Sequence, residues 1–467
     1  MNTNRRKFLT STSALTASAL AGNLGTWGVE SANAQAATGY KAMVCVFLFG
    51  GNDSNNMIVP YTDYAEYSAV RTVASNVQLT QAQLIQFNAP SHSKAYGFHP
   101  SMMPINGNPQ LAPLYSSGKL AVIANSGTLL KPMTKAQYNS PGYRPPNLFS
   151  HSDQQDQYCG LLMNAPVRTG WAGRMSDRLV SANTGALIPS AVSVSGSQLF
   201  TAGASTAPLV IPQNGGVSVA GQAADTVSTA RYNAMLSLIA ASKASGNQVV
   251  GGGAGIMDKA LIANNTANPI LTAGLPPVID TAFRVNGNLL NTGIAQQLRQ
   301  VARLIEGRGA TGVKRQFFFV SMGGYDTHTN TITNQTNLFN QLFPAMRAFY
   351  DYTVAAGVAN DVVQFTMSDF NRTFIGNAGN GVDHAYGGHQ IVVGGSVKGG
   401  NMYGRFPPLV RGGVDDAGSN GSWIPTTSVD QIGSTLGSWF GMPQADIDQV
   451  FPNLTNFAPN KNLGFMA

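Results

Sequence analysis

Six histidines occur in the 467-residue chain, at positions 92, 99, 151, 328, 384 and 389, and three of them share glycine-flanked segments with aspartate. One segment reads Gly323-Gly324-Tyr325-Asp326-Thr327-His328, and another runs from Gly381 through Asp383-His384 to Gly387-Gly388-His389. Asp53, in Gly50-Gly51-Asn52-Asp53, and Asp369, in Ser368-Asp369-Phe370-Asn371-Arg372, stand in turns of similar make. Carboxylate oxygen and imidazole nitrogen together suit zinc, or iron and manganese, and neighbouring glycines let backbone come close. Each aspartate alone reads as a helix cap; their convergence on one sheet edge would make a metal site. Ser150, before the polar stretch His151-Ser152-Asp153-Gln154-Gln155-Asp156, is a nucleophile candidate. At a helix N-terminus an attacking alkoxide is stabilised by backbone N–H groups, and a metal on its Oγ would activate it further. The same spacing to Asp153 also describes a plain N-cap, and His151 reads as a local hydrogen-bonding partner.

The elements that must position these groups follow from hydrophobic patterning. Lys41–Phe49 is a continuous apolar run ending at Gly50-Gly51, the mark of a strand buried on both faces. Leu120–Ala124, Gln316–Val320, Asp361–Met367 and Ile391–Val393 read as further strands. Ile294, Leu298, Val301 and Ile305 recur at helical spacing and stop at Gly307 and Gly309, and Leu338, Leu342, Met346, Phe349 and Tyr350 mark a second helix. Strand, helix, strand at these lengths predicts an α/β fold, a mostly parallel central sheet with helices on both faces. Ligands bind at the carboxyl ends of such strands, where the turns above fall. Residues 189–277 are rich in Ala, Gly, Ser, Thr and Val and read as an insertion of short strands and a helix or two beside the sheet.

Composition bounds the setting. Asn4-Arg5-Arg6-Lys7-Phe8-Leu9, a weakly apolar stretch and Ala32-Asn33-Ala34 resemble a twin-arginine leader of about 36 residues, cleaved after export through the twin-arginine translocase. The expected location is periplasmic or secreted, with no stable membrane anchor, since no later segment reaches the roughly 18 to 20 apolar residues of a span. Loss of Arg5, Arg6, Lys7 and Glu30 with the leader takes the formal charge from +7 to +5. The basic residues form no run, which argues against nucleic acid and leaves room for a small anionic substrate. Cys45 and Cys159 are expected as two buried thiols, although an oxidising compartment would permit a disulfide.

The Gly-Gly-Asn-Asp turn, the Ser-His pair, Gly-Gly-Tyr-Asp-Thr-His, Ser-Asp-Phe-Asn-Arg-Thr and Asp-His…Gly-Gly together resemble the domain-of-unknown-function 1501 family over essentially the whole mature chain. That family is similar in turn to the alkaline phosphatase and sulfatase superfamily. The resemblance implies two divalent metals, zinc first, and hydrolysis of phosphate or sulfate esters. It makes Asp53, Asp326, His328, Asp369 and either His384 or His389 metal ligands, with Asp383 a further candidate ligand, and Ser150 the nucleophile; Arg372 or Arg144 is the expected clamp on a non-bridging oxygen. Phe370 stands where a histidine is usual, so one metal site is depleted or completed by Asp383-His384. The formylglycine signature of classical sulfatases is absent. The competing expectation is a non-catalytic exported binding or surface-assembly protein that keeps the fold.

Overall fold

The computed structural model describes residues 39–103, 110–162, 168–217 and 225–467; the leader and its cleavage motif lie outside them. The central sheet is built from β1 (Lys41–Leu48), β2 (Leu120–Gly127), β3 (Ala191–Ser193), β4 (Leu209–Val210), β5 (Arg315–Met322), β6 (Val362–Ser368), β7 (Gly388–Gly394), β8 (Met402–Tyr403) and β9 (Thr427–Ser428). Their order is β8-β2-β7-β6-β1-β5-β3-β4, with β9 also paired to β2. All pairings are parallel except those of β7, which runs against both β6 and β2. The molecule is therefore a mixed α/β protein with a large, mostly parallel sheet.

Alternation along β1 shows why this strand is apolar throughout. Ala42, Val44, Val46 and Leu48 join one core, and Met43, Cys45 and Phe47 join the other. Helices α5 (Gly293–Glu306) and α6 (Thr331–Ala355) cover the first core. Helices α1 (His151–Gly160), α2 (Trp171–Arg178) and α7 (Val429–Phe440) cover the second. Each fully buried side chain of this kind contributes about 1.5–3 kcal/mol, so the two-sided burial of β1 anchors the sheet. The predicted stripe Ile294, Leu298, Val301 and Ile305 is buried on α5, which ends against Gly307. Cys45 on β1 and Cys159 on α1 are both buried and free, the state expected of them.

Beside the main sheet lies a small antiparallel one, with Lys94–Phe98 between Ile58–Pro60 and Ile85–Ala89. Within 189–277, β3 and β4 extend the central sheet at its edge. Helices α3 (Thr226–Lys243) and α4 (Gln248–Thr272) then form a hairpin joined by a short turn.

Direction matters at β7. Because it is antiparallel to β6, Phe365 pairs with Val392 and Val363 with Gly394, so the start of β7 lies beside the end of β6. Residues preceding β7 therefore reach the same sheet edge as residues following β5 and β6.

Candidate metal centre

Asp326 and His328 lie in the loop after β5, Asp369 and Arg372 follow β6, and Asp383 and His384 precede β7. A two-residue ladder sets Arg372 opposite His384 and Asn371 opposite Ala385. His151 enters from the other side as the first residue of α1. Before it, Asn147 and Phe149 hold left-handed backbone angles, φ 53° and 72°. For an aromatic residue this conformation is strained, and here it turns the Phe149 carbonyl toward His384.

These segments gather four donors: His151, Asp326 and His384 share one point, and His328 stands against Asp326 and His384. One ligand atom each from His151, Asp326 and His384 lies within 4.8 Å of the others. Asp326 Oδ1 stands 3.1 Å from His328 Nε2, 3.5 Å from His151 Nε2 and 3.7 Å from His384 Nε2. The Nε2 atoms of His328 and His384 are 3.0 Å apart. Ligands about 2.0–2.1 Å from a tetrahedral ion are separated by about 3.3 Å, close to these spacings.

The opposite nitrogen of each ring fixes its tautomer. His151 Nδ1 is 2.7 Å from Asp369 Oδ2, His328 Nδ1 is 2.9 Å from Asp383 Oδ1, and His384 Nδ1 is 2.8 Å from the Phe149 carbonyl. All three partners accept, so each Nδ1 carries the proton and each Nε2 turns a lone pair inward. His151 Nε2 is buried and unpartnered among the described residues. Lone pairs facing each other and a carboxylate repel unless a cation or proton lies between them. Imidazoles held at the rear by carboxylate or carbonyl are the outer shell that metal-binding histidines carry. Asp369 is itself held by Gln155 Nε2 at 2.9 Å and Gly50 N at 3.2 Å.

Arg372 supplies one positive charge. Its guanidinium donates to Asp326 at 2.5 Å, to the carbonyls of Gly50, Gly51 and Val382, and to His328 Nε2 at 3.3 Å. Burial alone would raise the Asp326 carboxyl. The Arg372 hydrogen bond and charge, with His328 and His151, outweigh it and hold the group below its ordinary range. Burial lowers His384, against the pull of its Phe149 hydrogen bond, so this ring is held neutral. The side chains of Asp326 and His328 are 50% and 43% exposed, so the cluster opens to solvent.

The remaining predicted residues lie elsewhere or act differently. Asp53 is fully buried against Arg71, 2.5 Å from its guanidinium, and takes a hydrogen bond from Asn55. His389 stacks on Phe406 and accepts from the Asn125 amide, away from the four donors. Asp369 and Asp383 stand behind the imidazoles. The Ser150 hydroxyl is engaged by Asp153 at 2.5 Å and caps α1, and the Arg372 N–H groups are spent inside the protein. Phe370 packs on His151 and His384, ring centroids 4.7 and 4.6 Å away, as an apolar wall. His151 is the residue that sequence reasoning assigned a lesser part. The available signal was an imidazole at the first position of a helix, on the same sheet edge as the other two.

Fold and site thus define a mixed α/β protein with a solvent-open His/Asp cluster at the carboxyl edge of its sheet. The chain belongs to the family described as "Protein of unknown function (DUF1501)", whose profile matches residues 40–426. No curated protein matches it. Among solved structures it is similar to "Ps i-CgsB in complex with k-i-k-neocarrahexaose", at 9% identity over 91% of this chain and 77% of that one. The TM-score is 0.32, too low to carry any argument.

Proposed function

We propose that the protein is a hydrolase of phosphate or sulfate esters built around one divalent ion, zinc first, held by His151, Asp326, His328 and His384. The observation that carries this reading is the convergence of His151, Asp326 and His384 on one point with His328 beside two of them, each imidazole braced from behind. One ion replaces the expected pair because Asp53 is neutralised by Arg71 and Phe370 fills the neighbouring space with a ring. An ion there would polarise an ester oxygen and lower the pKa of a coordinated water. The chain's own residues orient the donors: Asp369 and Asp383 fix two imidazoles, and Arg372 fixes Asp326. Solvent exposure of Asp326 and His328 leaves access for a small anion, as a catalytic rather than a closed structural site requires. The alkaline phosphatase-like arrangement within the α/β class, and export to the periplasm by the twin-arginine translocase, belong to the same reading and rest on the motifs and the leader sequence.

A second reading, an ion-holding binding protein without turnover, is favoured by one observation. Neither the Ser150 hydroxyl nor the Arg372 guanidinium stands free to act on a substrate. Metal analysis of the purified protein, then turnover of aryl phosphate and aryl sulfate esters with and without chelator, separates the two. One equivalent of metal with chelator-sensitive turnover supports the hydrolase, and one equivalent without turnover supports the binding protein. Failure to retain zinc, manganese or iron after reconstitution removes both.

A further inference from the structure

Eight of the sixteen large apolar side chains exposed among the described residues fall between positions 226 and 262, in the α3–α4 hairpin. A patch so concentrated in a small part of the chain marks an interaction surface. On α3 the inward face is Ser228, Tyr232, Met235 and Ile239, and α4 turns Ala254 inward. At about 100° per residue, Val227, Ala234 and Leu238 form one flank of α3, and Val249, Gly253 and Ile256 the corresponding flank of α4. In an antiparallel pair these flanks lie on the same side. Leu238, Val249 and Ile256 are 67%, 68% and 71% exposed, so nothing among the described residues covers that side.

The glycines sharpen the point. A Cβ added to Gly252, Gly253 or Gly255 would meet nothing within 4 Å. Glycine inside an exposed helix costs about 1 kcal/mol relative to alanine, and no neighbour among the described residues needs the space. Small residues instead permit close approach of a helix from outside.

We propose that this side of the hairpin docks on the same side of a second copy, forming a four-helix bundle about a twofold axis. A helix of 18 residues is about 27 Å long, and two helices at about 8–10 Å spacing present a face of roughly 500 Å² before corrugation. Two such faces bury on the order of 1,000 Å² or more, the threshold for a specific interface. A membrane surface fits less well. Interfacial helices carry several Lys and Arg on the polar face and Trp or Phe anchors on the other, whereas Lys243 here is bound to Asp258, Arg231 is the one cation beside the α3 flank, and none of the named flank residues is aromatic.

Sedimentation velocity of the mature full-length protein tests this, with far-UV circular dichroism as the control for folding. The wild type is expected to be a dimer at micromolar concentration. The double variant Leu238→Glu, Ile256→Glu is expected to be monomeric, with dimer affinity lowered at least 100-fold and helix content unchanged. Independently, Ala234→Cys should cross-link to a covalent dimer under mild oxidation, since both native cysteines are buried. A monomeric wild type, a dimer untouched by the double variant, or no cross-link overturns the proposal. A monomeric wild type that co-sediments with anionic phospholipid vesicles would replace the second copy with a membrane.

Discussion

His151 and His389 share a chemistry and have opposite surroundings. His389 is buried on Phe406 with its pKa pushed down to about 3 by desolvation, whereas His151 is held by Asp369 with its far nitrogen turned to Asp326. In sequence His389 looked the better ligand, because it stands in a glycine-flanked motif. Its surroundings come from Asn125 and Phe406, and those of His151 from a carboxylate 218 positions away. Periodicity carries no information about such pairs. Asp369→Asn and Asp383→Asn are each expected to weaken ion binding about 10–100-fold, measured by competition with a chelating dye. Ser150→Ala should cost about 1 kcal/mol of stability as a lost cap and leave ion affinity within a factor of about three. A collapse of ion binding in that variant would contradict the placement of its hydroxyl on Asp153.

His99, like His389, is pushed down to about 3 by burial. Both rings are neutral in the folded protein at mildly acidic pH, while the unfolded chain protonates them below about 6.5. The unfolded state thus binds more protons between roughly pH 3 and 6.5. Their contribution to stability is full above 6.5 and is lost as pH falls through that window. Two such sites give a slope of at most about 2.7 kcal/mol per pH unit. Urea unfolding at pH 7 and pH 5 should show the loss, and His389→Gln should reduce it by about half.

Among elements, the strands were legible because burial on both faces leaves an unbroken apolar run, as in β1. Their lateral order and the reversal of β7 were not, since neither changes which residues are apolar. Strand β3 was expected only as one of the short strands within 189–277, because three residues in an Ala/Ser/Val-rich stretch give too short a signal to place it. The loops that carry the site depend on two close approaches. A Cβ on Gly50 would come within 2.5 Å of the Asp326 amide, and one on Gly381 within 2.0 Å of the His328 carbonyl. Gly50 also holds φ at 113°, where an L side chain is strained. Gly381→Ala should displace the His328 segment and lower ion affinity at least tenfold by the same dye competition. The thermal midpoint should fall much less than with a core truncation such as Leu298→Ala, for which about 2–5 kcal/mol is expected. Equal losses would mean that the loop is structural rather than ligand-positioning.

For the whole molecule, an ion bound only by the folded state adds stability by mass action, about 2.7 kcal/mol at 100 times its dissociation constant. Chelation should lower the unfolding temperature by a few degrees, and re-addition of zinc should restore it. An unchanged midpoint with proven metal loss would show that the four donors are held open by the scaffold alone. No helix among the described residues is long and apolar enough to cross a membrane.

The reversed course of β7 also fixes when the cluster can come into being. His151, Asp326 and His384 belong to segments separated by more than 50 residues, and His384 reaches the others only once β7 has inserted between β6 and β2. On a nascent chain emerging from the ribosome these donors cannot meet before position 384 of 467 has been made.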